Sequence, residues 1–110
     1  MNPLLSGEGF AVFDSRWWPA EEIGAACERS IAWLQRRGVG PGDRIAVLAN
    51  NRIEIVFAIF AARAVGARVL MLNARLTAAE LAPIVAAHPA KVVLADAELR
   101  SRVPGSDSDL

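Results

Sequence analysis

"GVGPGDRIAVLANN", Gly38 to Asn51, sets three glycines, a proline and an aspartate directly ahead of an apolar run. Two readings are open: a glycine-rich loop that cradles a phosphate, or a turn that feeds a strand. A phosphate cradle follows a strand and opens a helix, so that amides at the helix N-terminus point at the anion. Here the order is reversed. Upstream, Ile23, Ala26, Cys27, Ile31 and Leu34 recur at the spacing of one helix face between Ala20 and Arg37. Gly38 stands where a helix C-terminal glycine belongs, and Arg36 and Arg37 lie at the negative end of the helix dipole. The spacing is G-x-G-x-G rather than G-x-G-x-x-G, and no Lys-Ser/Thr pair completes a phosphate loop. Pro41-Gly42-Asp43 is turn chemistry, and "RIAVLA" behind it is a strand.

Working outward, Asn51 and Glu54 form a variant capping box before "RIEIVFAIFAARAV", and Gly66 closes that helix. "ARVLML" is a strand without alternation, as expected where both faces are buried. Thr77 and Glu80 make a second capping box for "LTAAELAPIVAAH", with Pro83 predicting a kink or a short first turn. "KVVLAD" is the last strand. Toward the N-terminus, "GFAVFD" predicts a short strand, Phe10 to Asp14, with a turn through Ser15. Trp17 and Trp18 extend a second strand before Pro19, a residue favoured at the first helical position. The alternation implies an α/β fold, a mostly parallel sheet of about four strands with flanking helices. Residues 1–97 are expected to form this α/β subdomain, and residues 98–110 a polar, mobile tail.

Composition sets limits. The chain of 110 residues allows one domain with a modest core. Twelve basic and twelve acidic side chains cancel, which gives no electrostatic case for nucleic acid or an anionic membrane. Cys27 is the single cysteine, so no internal disulfide or cysteine metal cage can form, in keeping with a reducing compartment. The N-terminus lacks the features of a secretory signal. Ile53 to Val65, interrupted by Glu54 and Arg63, is too short to span a bilayer. A cytoplasmic protein is expected. That same segment is apolar on nearly every side, and a helix apolar all round must be buried all round. A chain this small can hardly wrap it, so the rest of a larger protein or a second copy in a homodimer is expected to cover it.

Ligands in such sheets bind beyond the carboxyl ends of the strands. The sequence places Asn50, Asn51 and Arg52, then Asn73, Arg75 and Thr77, then Asp96 there. Asn51 and Thr77 read as caps and Arg52 as a solvated first-turn residue. For Asn73 and Arg75 a backbone-bonding role and a ligand contact both stay open. His88 lies at a helix end with no nucleophile or carboxylate placed beside it, and Cys27 faces the apolar side of its helix. Trp17, Trp18 and Trp33 lack a basic stripe and read as packing, and Lys91, the single lysine, starts a strand. No residue is therefore assigned a catalytic, cofactor-binding or metal role.

The run Ala32 to Asp96 resembles the N-terminal portion of the AMP-forming acyl-CoA ligases of the adenylate-forming superfamily. Gly38-Val39, Pro41-Gly42-Asp43-Arg44, Asn50, Glu54, Gly66-Ala67, Leu72-Asn73, Arg75-Leu76-Thr77 and Glu80-Leu81 match the family pattern in order. Pro19 departs from it where a serine or threonine cap is usual, as does Met71 where a proline is usual. The resemblance implies a complete enzyme that joins a carboxylate to ATP with Mg2+ and passes the acyl group to coenzyme A. It also implies that the phosphate loop, the nucleotide segments and the catalytic lysine lie outside these residues, leaving this chain alone inactive. A compact N-terminus is compatible with the succinylbenzoate ligases. Two alternatives remain: an interaction module that dimerises through residues 53–65, and a small flavodoxin-like domain binding ligand at the Asn50 and Asn73 loops.

Overall fold

The computed structural model describes residues 11–13, 16–50, 53–105 and 108–109. In chain order the elements are β1 (Ala11–Phe13), β2 (Arg16–Trp18), α1 (Ala20–Arg36), β3 (Arg44–Leu48) and α2 (Ile53–Ala64). There follow β4 (Arg68–Leu72), α3 (Ala78–Ala87), β5 (Val92–Ala95), a 3-10 helix (Ala97–Arg102) and β6 (Ser108–Asp109). Strands β4, β3, β5 and β6 lie side by side in that order, all parallel. The substantial sheet is the three strands β4, β3 and β5, since β6 adds only two residues.

The opening strand does not join it. β1 pairs antiparallel with β2, Ala11 opposite Trp18, in a separate two-stranded ribbon. Closing a two-residue link costs far less chain entropy than carrying a three-residue strand to a distant sheet edge. The expected four-strand sheet is thus corrected to three full strands. Phe10, Asp14 and Ser15 lie outside the described residues.

Helices cover both faces. On one, Leu34 of α1 and Ala58, Ala61 and Ala62 of α2 pack on Ile45, Val47, Val92 and Leu94. On the other, Leu81 of α3 packs on Ala46, Leu48, Leu72, Val93 and Ala95. The alternation along β3 sends odd positions to one layer and even ones to the other, which is why the strand reads as a continuous apolar run. β4 departs from that expectation. It is an edge strand, so Met71 is 48% exposed.

The two connections entering β3 and β4 share one device. Gly38 (φ 77°) follows the α1 cap: its N–H donates to Gln35 O, and the Val39 N–H donates to Leu34 O, both at 3.0 Å. Gly66 (φ 80°) repeats the pattern after α2, donating to Arg63 O while Ala67 donates to Ala62 O. This is the Schellman ending that a glycine at positive φ permits. The Gly42 N–H donates to Gly66 O at 3.1 Å, so the two turns are tied together. Replacing Gly66 by alanine is expected to cost about 1–2 kcal/mol from the backbone conformation alone. The cost should rise further because a Cβ would stand 3.1 Å from the Pro41 Cα. The check is a lower urea midpoint with an unchanged slope.

At the other helix termini, Pro19 is the N-cap of α1, one position before the first helical one, and its carbonyl accepts from Glu22 and Ile23. The Thr77–Glu80 capping box of α3 is complete, and the helix runs through Pro83 without a break. Asn51 and Arg52, expected before α2, lie outside the described residues. Where a polar tail is expected from residue 98, the chain instead forms the 3-10 helix. Leu99 and Val103 are buried against the α3 layer, and that burial draws the segment onto the sheet.

Candidate functional site

Leu48 is the register partner of both Leu72 and Ala95, so the three main strands end level. The residues just beyond them collect at one edge. Asp96 is buried there at 2% exposure, and its Oδ2 accepts from the Asn50 N–H at 2.8 Å. The Asp96 N–H in turn donates to Leu48 O at 3.0 Å, and the Asn50 amide Nδ2 donates to Glu98 Oε1 at 3.0 Å. Across the sheet, Asn73 Oδ1 accepts from the Arg75 N–H at 2.9 Å, while the Asn73 carbonyl accepts from Leu76. Arg102 Nη1 donates to the carbonyls of Ala74 at 2.6 Å and Leu76 at 3.3 Å.

These bonds hold backbone. Asp96 fixes the start of the β3–α2 loop, Asn73 forms an Asx turn, and Arg102, from the segment packed against the α3 layer, clamps the β4–α3 loop. Asn73 has the structural role left open by the sequence, and the Arg75 side chain is exposed. Glu98 and Arg102, which the sequence places in the tail, belong to this edge. The signal that could have found them is the i, i+4 pair Leu99 and Val103, too apolar for a free tail. His88 is the exposed C-cap residue of α3, at the end of that helix away from this edge. Trp18 meets Phe57 edge to face with centroids 6.0 Å apart, Arg37 lies 4.6 Å over the Trp33 ring, and Trp17 is exposed.

The Gly38–Asp43 turn sits at the opposite edge and is closed to anions by its own bonding. Gly38, Val39 and Gly42 donate to Gln35, Leu34 and Gly66; Gly40 donates to Asp43 Oδ2 at 2.8 Å and Asp43 to Gly40 O. Pro41 has no N–H. A phosphate would find no amide to bind. Among the described residues no three His, Cys, Asp or Glu side chains are grouped to hold a metal ion. An apolar groove of about 520 Å3 runs between α3 and the 3-10 helix, lined by Ala78, Ala82, Val85, Arg102 and Val103. Its one charged group, Arg102, donates through Nη1 to loop carbonyls. Among the described residues, the Gly38–Asp43 turn presents no free backbone amide to an anion, and this groove is apolar. No helix among the described residues is long and apolar enough to cross a membrane.

Electrostatic shifts follow the same structural pattern. The Gly40 N–H, then Lys91 at 3.5 Å, hold the Asp43 carboxyl below its usual range, and the Thr77 cap bonds do the same for Glu80. Both carboxylates thus stabilise the fold above the unfolded-state value near pH 4 and lose that contribution as pH falls through their lowered values. Between about pH 6 and about pH 3 the urea midpoint, read by circular dichroism, is expected to fall further in the parent than in the Asp43→Asn variant, which has no carboxylate to protonate at that position. Burial raises the Cys27 thiol, as suits a packed side chain.

A family model described as AMP-binding enzyme matches residues 6–109. The 2-succinylbenzoate–CoA ligase of Geobacillus kaustophilus (strain HTA426) is 36% identical over 105 residues, covering 93% of this chain and 21% of that protein. The 4-coumarate–CoA ligase 2 of Oryza sativa subsp. japonica is 36% identical over 84 residues, covering 76% of this chain and 15% of that protein. The chain thus spans about a fifth of the length of such relatives. Among solved structures, o-succinylbenzoate CoA synthetase from Bacillus subtilis in complex with the acyl-adenylate intermediate OSB-AMP shares the fold. It superposes with a TM-score of 0.80 at 24% identity, covering 94% of this chain and 22% of that one. The same protein in complex with ATP and magnesium ion gives a TM-score of 0.79 at 24% identity, covering 92% of this chain and 29% of that one.

Proposed function

The chain belongs to the AMP-binding enzyme family, and from that premise we propose that it forms the N-terminal structural part of an ATP-dependent acyl- or aryl-CoA ligase. The complete enzyme would convert a carboxylate, ATP and coenzyme A to acyl-CoA, AMP and pyrophosphate by way of an acyl-adenylate, with Mg2+. The observation that carries this is the family match over nearly the whole chain, set beside relatives of which the chain covers only about a fifth. The described residues supply a sheet and helices that hold shape; the nucleotide and the acyl group would be held elsewhere in the polypeptide. Cytoplasmic residence goes with this reading.

ATP–pyrophosphate exchange with a panel of aryl and fatty carboxylates tests it. The chain alone is expected to give no exchange, and the reading frame beyond the Leu110 codon is expected to continue into a Ser/Thr/Gly-rich loop ending in lysine. Exchange by the chain alone would sink the structural role; a stop codon directly after Leu110 would sink the ligase.

The partial exposure of Ile55, Val56, Phe57, Ile59 and Phe60 favours cover from outside these residues. The remainder of the parent enzyme is the cover we favour. A tight dimer in sedimentation, broken by Ile59→Glu, would instead assign that cover to a second copy.

A further inference from the structure

Half of the chain's twelve basic residues gather at one end of the molecule. Arg36 and Arg37 close α1, Arg63 lies in the last turn of α2, Arg44 and Arg68 open β3 and β4, and Lys91 directly precedes β5. Because the strands are parallel and each helix returns the chain to a strand start, all six stand at the amino edge of the sheet. Arg44 and Arg68 are register partners on adjacent strands, and the Lys91 N–H donates to Arg44 O at 2.8 Å. Five of the six are exposed and Arg44 is half-buried. Asp43 is the one carboxylate among the described residues that the fold places at this edge, so the formal excess is five positive charges. A molecule of zero net charge is strongly polarised.

Helix dipoles do not account for the excess. Three helices end here, each presenting roughly half a negative charge, which offsets about one and a half of the five. Arg37 stacks on the Trp33 ring and Lys91 pairs with Asp43, but like charges on adjacent strands, as at Arg44 and Arg68, oppose folding.

We propose that this face docks an acidic surface of a separate protein. A small anion is excluded as the target because the turn amides are already donated and the cations are spread over two helix ends and three strand starts rather than converging. Cover from within the same domain is disfavoured, since arginine and lysine are almost never fully buried unless paired. Nucleic acid is disfavoured because the helices turn their carbonyl ends, not their N–H ends, to this face. Carboxylates on separate side chains match spaced guanidinium forks two bonds at a time.

The test is fluorescence anisotropy of labelled decaglutamate, with a DNA duplex of equal charge as the competing probe, at about 20 mM salt. Decaglutamate is expected to bind, with at least about tenfold weakening in the exposed pair Arg63→Gln/Arg68→Gln and a comparable loss at about 0.2 M salt. The pair Arg29→Gln/Arg100→Gln, exposed but away from this edge, is expected to bind within about twofold of the parent. Circular dichroism confirms that each variant is folded. No binding at low salt, equal weakening in both pairs, or tighter binding of the duplex than of the peptide would overturn the proposal.

Discussion

Leu81→Ala is expected to lower the urea midpoint by an amount equivalent to about 3 kcal/mol, within the usual span of about 2–5 for a buried leucine. That is a large share of the roughly 5–15 kcal/mol available to a domain. The reason is how little else holds α3. Leu81 is its one fully buried residue, and Ile84 and Val85 are half-buried. Much of the rest of the helix is alanine facing out. With the side chain gone, the layer over Ala46, Leu48 and Ala95 loses its centre. Hydrogen exchange should show the amides of residues 78–87 losing protection before those of α1 and α2. A midpoint shift spread evenly over all helices would contradict the assignment of Leu81 as the anchor of that layer.

Asp96→Ala should cost about 2–3 kcal/mol, by a different route. The buried carboxylate accepts from the Asn50 N–H, so its removal strips a partner from a backbone donor 46 residues away in the chain. Asp96→Asn keeps an acceptor and should return part of the loss. Equal midpoints for the two variants would show that the bond does not matter. The expected spectroscopic sign is an upfield shift of the Asn50 amide proton in Asp96→Ala, with the Gly38–Asp43 amides unmoved.

The comparison of these residues with their neighbours shows what sequence can carry. Gly38, Gly66, Thr77 and Glu80 were legible because helix endings are built by chemistry within a few residues. The alternation of helices and apolar runs was legible for the same reason, and it fixed the parallel sheet. The partner of β1 was not, because a three-residue strand has no pattern that separates a local ribbon from a sheet edge. Nor were the roles of Glu98 and Arg102, whose bonds reach back 48 and up to 28 positions. Polar letters around Leu99 masked a segment whose two apolar side chains decide its place. Asp96 stood in the right location by topology, but its buried bond to Asn50 depends on strand order, which spacing alone does not give.

The connection Gly38–Asp43 has a consequence for how this fold can change over time. Most loops tolerate inserted residues because their backbone groups turn to water. Here every available N–H is already bonded, and Gly42 is tied to Gly66 while Gly66 lies against Pro41. One added residue would part Gly40 from the Asp43 carboxylate and slide the whole turn off its neighbour. Length at this point is therefore frozen even where side chains are free to vary. The stretch acts as a fixed gauge between two strands, and variation in size among related chains is expected to fall elsewhere.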